Sequence, residues 1–187
     1  MFELVLANLV GLAGFIVLAI APLTATRARF LALDVAGLVP VAIHYVLLGS
    51  PAGAAFCVLY IVMDLIGFFT AGGPRARTLY WLVYPAAAVI LALGWSGWGD
   101  LLATAGTMLA AAARQQTHLP RLKLLVFASA LGWGAFGALT LSWSQVAFST
   151  VYAISALIGA RRDSLAMKVA LGAPELAGDG EAEQPKG

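Results

Sequence analysis

Asp34, His44 and Asp64 are the ionisable side chains set well inside otherwise apolar stretches of this 187-residue chain; Glu3, Asp100 and Arg114 fall nearer the ends of such stretches. In a hydrocarbon medium each costs about 2.5–3.5 kcal/mol, so each needs a reason to be there. A buried carboxylate either carries a proton or cation along a polar pathway, or pairs with a guanidinium. Asp34 follows Arg29 by five residues, and Asp64 precedes the end of its stretch by six. At a helical rise of about 1.5 Å per residue, both lie roughly 8–9 Å inside the basic ends of their segments. Their structural partners would be Arg27, Arg29, Arg75 or Arg77, reached by snorkelling. Tyr60 stands about 40° from Asp64 on a helical wheel, so a hydroxyl and a carboxylate share one face. These features make Asp64 and Asp34 candidates for proton or cation coupling.

His44 is the third coupling candidate. A histidine near a segment end either titrates near physiological pH and gates a mouth, or anchors the end beside Tyr45 at the headgroup level. Tyr60, Tyr152, Trp133, Ser155 and Asn8 are the candidates for lining a cavity. Trp133 lies between Gly132 and Gly134 in mid-segment, where its indole N–H needs a partner or a ligand to stack on. Ser149, Thr150 and Ser155 add hydroxyls, which face a ligand or bond back to the helix. Asn8 lines an entrance or simply begins a helix.

The elements that must position these groups are helices long enough for a bilayer. Hydrophobic residues make up 61% of the chain and charged residues 11%, outside the range of a soluble domain. Seven spans fit about 20 apolar residues each, near 3–21, 29–48, 51–70, 78–94, 98–113, 121–140 and 142–160. The cations mark alternate gaps: Arg27, Arg75, Arg77, Arg114, Arg121 and Lys123 fall in gaps 22–28, 71–77 and 114–123, with Arg29 at a helix edge. Arg161, Arg162, Lys168 and Lys186 follow the last span, whereas gaps 49–51, 95–99 and 140–142 hold none. Cationic loops stay in the cytoplasm, so the pattern predicts the N-terminus outside and the C-terminus inside. Residues 163–187 read as a cytoplasmic tail, largely disordered, with a short surface helix near 163–171 as an option.

An ungapped offset of 92 residues sets 8–69 on 100–161 with 16 of 62 identities, against about one in ten expected from composition. The clearest stretch aligns Ala55–Gly67 with Ala147–Gly159 and pairs Tyr60 with Tyr152. The expected fold is therefore all-α with a membrane domain over 1–162. Repeat 1 (3–70) and repeat 2 (98–161) run parallel about an axis along the membrane normal, joined by a linker helix at 78–94. The acids break the repeat, since Val126 and Ala156 stand where Asp34 and Asp64 have their mates.

This 3+1+3 plan resembles the SWEET and PQ-loop transporter architecture, to which PnuC-type vitamin transporters also belong. Closer still, His44-Tyr45-Val46-Leu47-Leu48-Gly49 followed by Ala52-Gly53-Ala54 resembles the YgjV-type bacterial inner-membrane protein family. The resemblance runs from about residue 5 to residue 162, and it implies a fold and an inner-membrane location without a substrate. The chain departs from the PQ-loop pattern in having no Pro-Gln dipeptide.

Two function classes follow. One is a small-solute transporter or facilitator with its cavity between the repeats, suited to a neutral or zwitterionic solute. The other is a non-transporting scaffold or partner subunit. An enzyme is not expected, for want of a nucleophile–base set or catalytic loops. Nor are cofactors, a metal site or nucleic-acid binding expected. The lipid bilayer is the expected surrounding, and self-association into a homo-oligomer is compatible with the composition.

Overall fold

The computed structural model describes residues 2–70, 73–95, 97–139 and 143–172. Every element among them is helical. Helix α1 (Phe2–Ile20) ends in a 3-10 turn, Ala21–Leu23, where Pro22 interrupts the ladder. Helix α2 (Arg27–Leu47) starts at Thr26, whose hydroxyl accepts from the Arg29 N–H. It stops at Gly49, which has φ +67°. The Ser50 N–H then reaches the Tyr45 carbonyl (2.9 Å) and the Gly49 N–H reaches Val46 (3.0 Å). This paired closure needs a left-handed residue, and glycine supplies it without a Cβ penalty. Helix α3 (Pro51–Thr70) begins at once, with proline at a position whose N–H would be idle anyway.

The linker helix expected at 78–94 begins earlier and is broken. It forms α4 (Pro74–Trp81) and α5 (Val83–Gly94), which meet at Leu82. The cause is Pro85, which offers no N–H to the Trp81 carbonyl and crowds it. The turn tightens instead, with the Leu82 N–H bonded to Leu79. Helices α6 (Gly99–Arg114) and α7 (Leu119–Leu139) follow. Helix α8 (Trp143–Gly172) runs on past the seventh predicted span, so 163–172 continues the last helix. The run Ser164–Leu171 contains no breaker to stop it. The rest of the predicted tail, 173–187, lies outside the described residues.

Successive helices pack side by side, and α8 returns to α1 while α6 meets α3, so the bundle closes round a central space. Glycines allow the closest approaches. A Cβ on Gly14 would come within 2.6 Å of the Gly37 carbonyl oxygen, and one on Gly106 within 3.1 Å of the Ser129 oxygen. Gly14 and Gly106 are repeat mates, as are Gly37 and Ser129, so both repeats join their first two helices at the same place. Close contact of this kind is what holds helices together where lipid competes for apolar surface.

Polarity is inverted relative to a soluble protein. Asp34, Asp64, Arg114, Lys123, Thr107 and Gln145 are buried, while Leu9, Ile16, Ile43, Val58, Leu131 and Ile158 are half or more exposed on the outer faces or close to it. Four helices are long and apolar enough to cross a membrane, over Val5–Leu23, Arg27–Leu47, Pro51–Thr70 and Leu119–Leu139, and a shorter apolar helix spans Thr78–Gly94. Exposed tryptophans flank that shorter helix, Trp81 beside Tyr84 at one end and Trp95 beside Trp98 at the other. Tryptophan favours the interface because its ring is apolar and its N–H is not.

Candidate functional site

The space inside the ring is a cavity of about 650 Å³ including its mouth. Its wall is lined largely by positions that the 92-residue register pairs. From α3 come Gly53, Phe56, Cys57 and Tyr60, and from α8 come Gln145, Phe148, Ser149 and Tyr152, each 92 residues on. From α2 come Asp34, Leu38 and Val41, and from α7 their mates Val126, Ala130 and Trp133. Phe15, Leu18, Tyr45, Ser129 and Arg114 complete the lining. The spacing of the α3 and α8 sets puts each on one helical stripe.

Arg114, the last residue of α6, turns its side chain into the interior and forms the floor. Its Nε donates to Asp64 Oδ1 (2.6 Å) and its Nη2 to Asp64 Oδ2 (3.3 Å). The same Nη2 also donates to Asp34 Oδ2. Tyr152 donates its hydroxyl to the other Asp34 oxygen at 2.9 Å. The guanidinium carbon stands 5.2 Å from the centre of the Tyr60 ring. Asp34 and Asp64 are thus brought together by a cation from the other repeat, where arginines at their own segment ends were expected. Counting Arg114 among loop cations hid this. The available signal was side, because Arg114 closes its span at the same basic end towards which both acids lie. Fork geometry suits a guanidinium to two carboxylates, and a buried ion group survives only when so satisfied.

Tyr60 and Trp133 meet directly. The indole Nε1–H donates to the Tyr60 hydroxyl at 2.8 Å. That hydroxyl lies 3.4 Å from Ser129 Oγ, which spends its own proton on the Gly106 carbonyl (2.7 Å). Tyr60 of α3 therefore bonds to α7, just as Tyr152 of α8 bonds to α2, and the two repeats exchange one tyrosine each. Tyr60→Phe would leave the indole N–H without an acceptor. We expect a loss of about 1–3 kcal/mol, read as a lower midpoint for thermal unfolding of detergent-solubilised protein, with Trp133→Phe added to Tyr60→Phe causing little further loss.

The other candidates lie elsewhere. His44 faces α1, where its Nδ1–H donates to the Ala7 carbonyl at 2.8 Å and its ring covers Gly11. Asn8 is on the exposed face of α1, and Ser155 is buried but lines no part of the cavity. Tyr45 and Gln145, which were not among the candidates, stand at the far end of the wall and share a 3.2 Å bond, and Gln145 in turn donates to Ser149 at 3.0 Å. Among the described residues no cluster of three histidine, cysteine, aspartate or glutamate side chains could hold a metal.

Beneath the floor, each repeat caps the other. Arg27 of α2 donates to the Arg114 carbonyl (2.5 Å) and to that of Gln116. Lys123 of α7 donates to the Thr24 carbonyl (2.7 Å) and to Asp163 (2.6 Å), and Arg162 to the Leu23 carbonyl (2.6 Å). Thr24 and Gln116 are repeat mates. The ends of α1 and α6, rich in unpaired carbonyls, are the places where a cation is most favoured.

An apolar exterior, buried ion pairs and helices of bilayer length define an all-helical membrane protein with an internal cavity. A family model described as bacterial inner membrane protein (Imp-YgjV) matches residues 5–166. The chain belongs to this family. No curated protein and no solved structure matches it significantly.

Proposed function

We propose that the chain is a small-solute transporter or facilitator of the inner membrane, with seven crossings, its N-terminus outside and its C-terminus in the cytoplasm. The observation that carries this reading is the lining: seven pairs of repeat-equivalent positions face one cavity. A scaffold has no need to place the same stripe of each repeat against an empty space, whereas two bundles that rock about a shared axis do. The orientation rests on the cations, which gather at the end where α1, α3 and α6 finish. The cavity runs from the Arg114 floor towards the opposite end, at Tyr45 and Gln145. In this reading the present state faces outwards, and the cytoplasmic side is shut by the exchanged caps of Arg27, Lys123 and Arg162. The Asp34–Arg114–Asp64 group is the coupling site of the same reading.

The test is accessibility. In a Cys57→Ser background, Ser149→Cys is expected to react with a small membrane-impermeant methanethiosulfonate added outside intact cells, whereas Ser155→Cys, two turns away and off the cavity, stays protected. Protection of both would overturn the transport reading.

A further inference from the structure

We propose that the cavity takes an aromatic monocation, its positive group beside Asp34 and its ring between Phe148 and Trp133. This deepens the transport reading and rests on the same cavity. The charge balance at the floor is the first ground. Two carboxylates, Asp34 and Asp64, share one guanidinium, which is one negative charge in excess when both are ionised. Arg114 engages Asp64 through two nitrogens and Asp34 through only one, which leaves the excess on Asp34. Asp34 is also the acid that borders the cavity, whereas Asp64 lies behind it. Among the described residues the nearest further cation, Arg27, acts on Asp64 from beneath the floor and not on Asp34. Arg27 lies under the floor with its guanidinium on the carbonyls at the end of α6, and Lys123 is committed to Asp163. The end of α6 adds partial negative charge of its own. An anion would meet this field unfavourably, and a cation would complete it.

The walls are the second ground. Phe15, Phe148 and Tyr152 form a stacked column, with ring centres 4.3 and 5.5 Å apart. Across from them Phe56 sets its ring edge-on to Trp133 at 5.6 Å. The faces of this column are engaged in its own stack, so a planar ring in the cavity would meet its edges, an arrangement that aromatic pairs favour. Composition alone pointed to a neutral or zwitterionic solute; the unequal sharing of Arg114 moves the class to a single positive charge.

The experiment compares four probes on the purified full-length protein by calorimetry at fixed pH and ionic strength. They are phenethylamine, its neutral isostere phenethyl alcohol, the anion phenylacetate and the zwitterion phenylalanine; butylamine serves as a ring-free control. The expected result is that phenethylamine binds about tenfold or more tightly than each of the others, the worth of one charge-assisted contact. In Asp34→Asn the preference over phenethyl alcohol should vanish. Phe148→Leu should weaken every ring-bearing probe and leave butylamine as it was. Equal binding of the alcohol, the anion, the zwitterion or butylamine overturns the proposal, whether or not Asp34→Asn folds. Absence of binding by all the probes overturns it too, and labelling at Ser149→Cys then decides separately whether the transport reading stands.

Discussion

Arg114→Met is expected to remove most of the folded protein from the membrane. The side chain is 2% exposed, and its loss leaves the 2% and 0% exposed carboxylates of Asp34 and Asp64 facing each other without a counter-charge. Breaking a buried ion pair from one side costs about 3–5 kcal/mol, against a typical total stability of about 5–15 kcal/mol. The chain itself shows what an uncharged solution looks like. At the equivalent place in the other repeat stand Pro22, Val126 and Ala156, all buried in an apolar cluster or beside it. Adding Asp34→Val and Asp64→Ala to Arg114→Met should therefore restore the folded yield, because replacing a whole buried ion group by apolar residues is often neutral. Tyr152 loses its acceptor in that variant, but its hydroxyl faces the cavity and can turn to water there. The measurement is the monodisperse fraction after detergent extraction, together with the unfolding midpoint. If the single variant were as stable as the parent, the three charges would not form one unit.

Gly159→Ala is expected to have the next largest effect. A Cβ at this position would lie 2.1 Å from the Pro22 carbonyl oxygen and 3.1 Å from Lys123 Cδ. The obstacle is backbone, so the 21–24 turn must move away from α8. That movement also strains the bonds from Lys123 to Thr24 and from Arg162 to Leu23. Overpacking of this sort costs about 1–3 kcal/mol or more, and the lost caps add to it. Its repeat mate supplies a graded comparison. At Gly67 the same methyl would meet the Tyr80 hydroxyl (2.6 Å) and Arg27 Nη2 (3.1 Å), which are side-chain ends able to shift. Gly97 has nothing within 4 Å. The expected order of thermal destabilisation is Gly159→Ala, then Gly67→Ala, then Gly97→Ala with no measurable change. A reversal of the first two would mean that the 21–24 turn yields to α8 more readily than Tyr80 and Arg27 yield to α3.

Much of the scaffold is written locally. Hydrophobic length marks the long helices. Gly49, Ser50 and Pro51 encode the turn between α2 and α3, because a left-handed residue and a proline at a helix start are both short-range requirements. Pro85 carries a local signal for the break at Leu82 as well, one that apolar length alone does not express. The register of 92 residues identified Tyr60 and Tyr152 as equivalents before either had a neighbour.

What the sequence by itself determined was which segments are helices and which positions a register of 92 residues pairs. Helix propensity, turn chemistry and self-similarity all act within one stretch of chain or between two stretches compared directly. Only the tertiary structure decided which side of each helix faces inward. In a lipid-facing helix the outer surface is as apolar as the packed one, so hydrophobic periodicity carries little information about rotation. Arg114 meets Asp64 across 50 residues and Asp34 across 80, and Trp133 meets Tyr60 across 73. Those partners are chosen by a cost that exists only once the helices are assembled: a charge or an indole N–H removed from water must find its complement at the same depth, on whichever helix happens to present it.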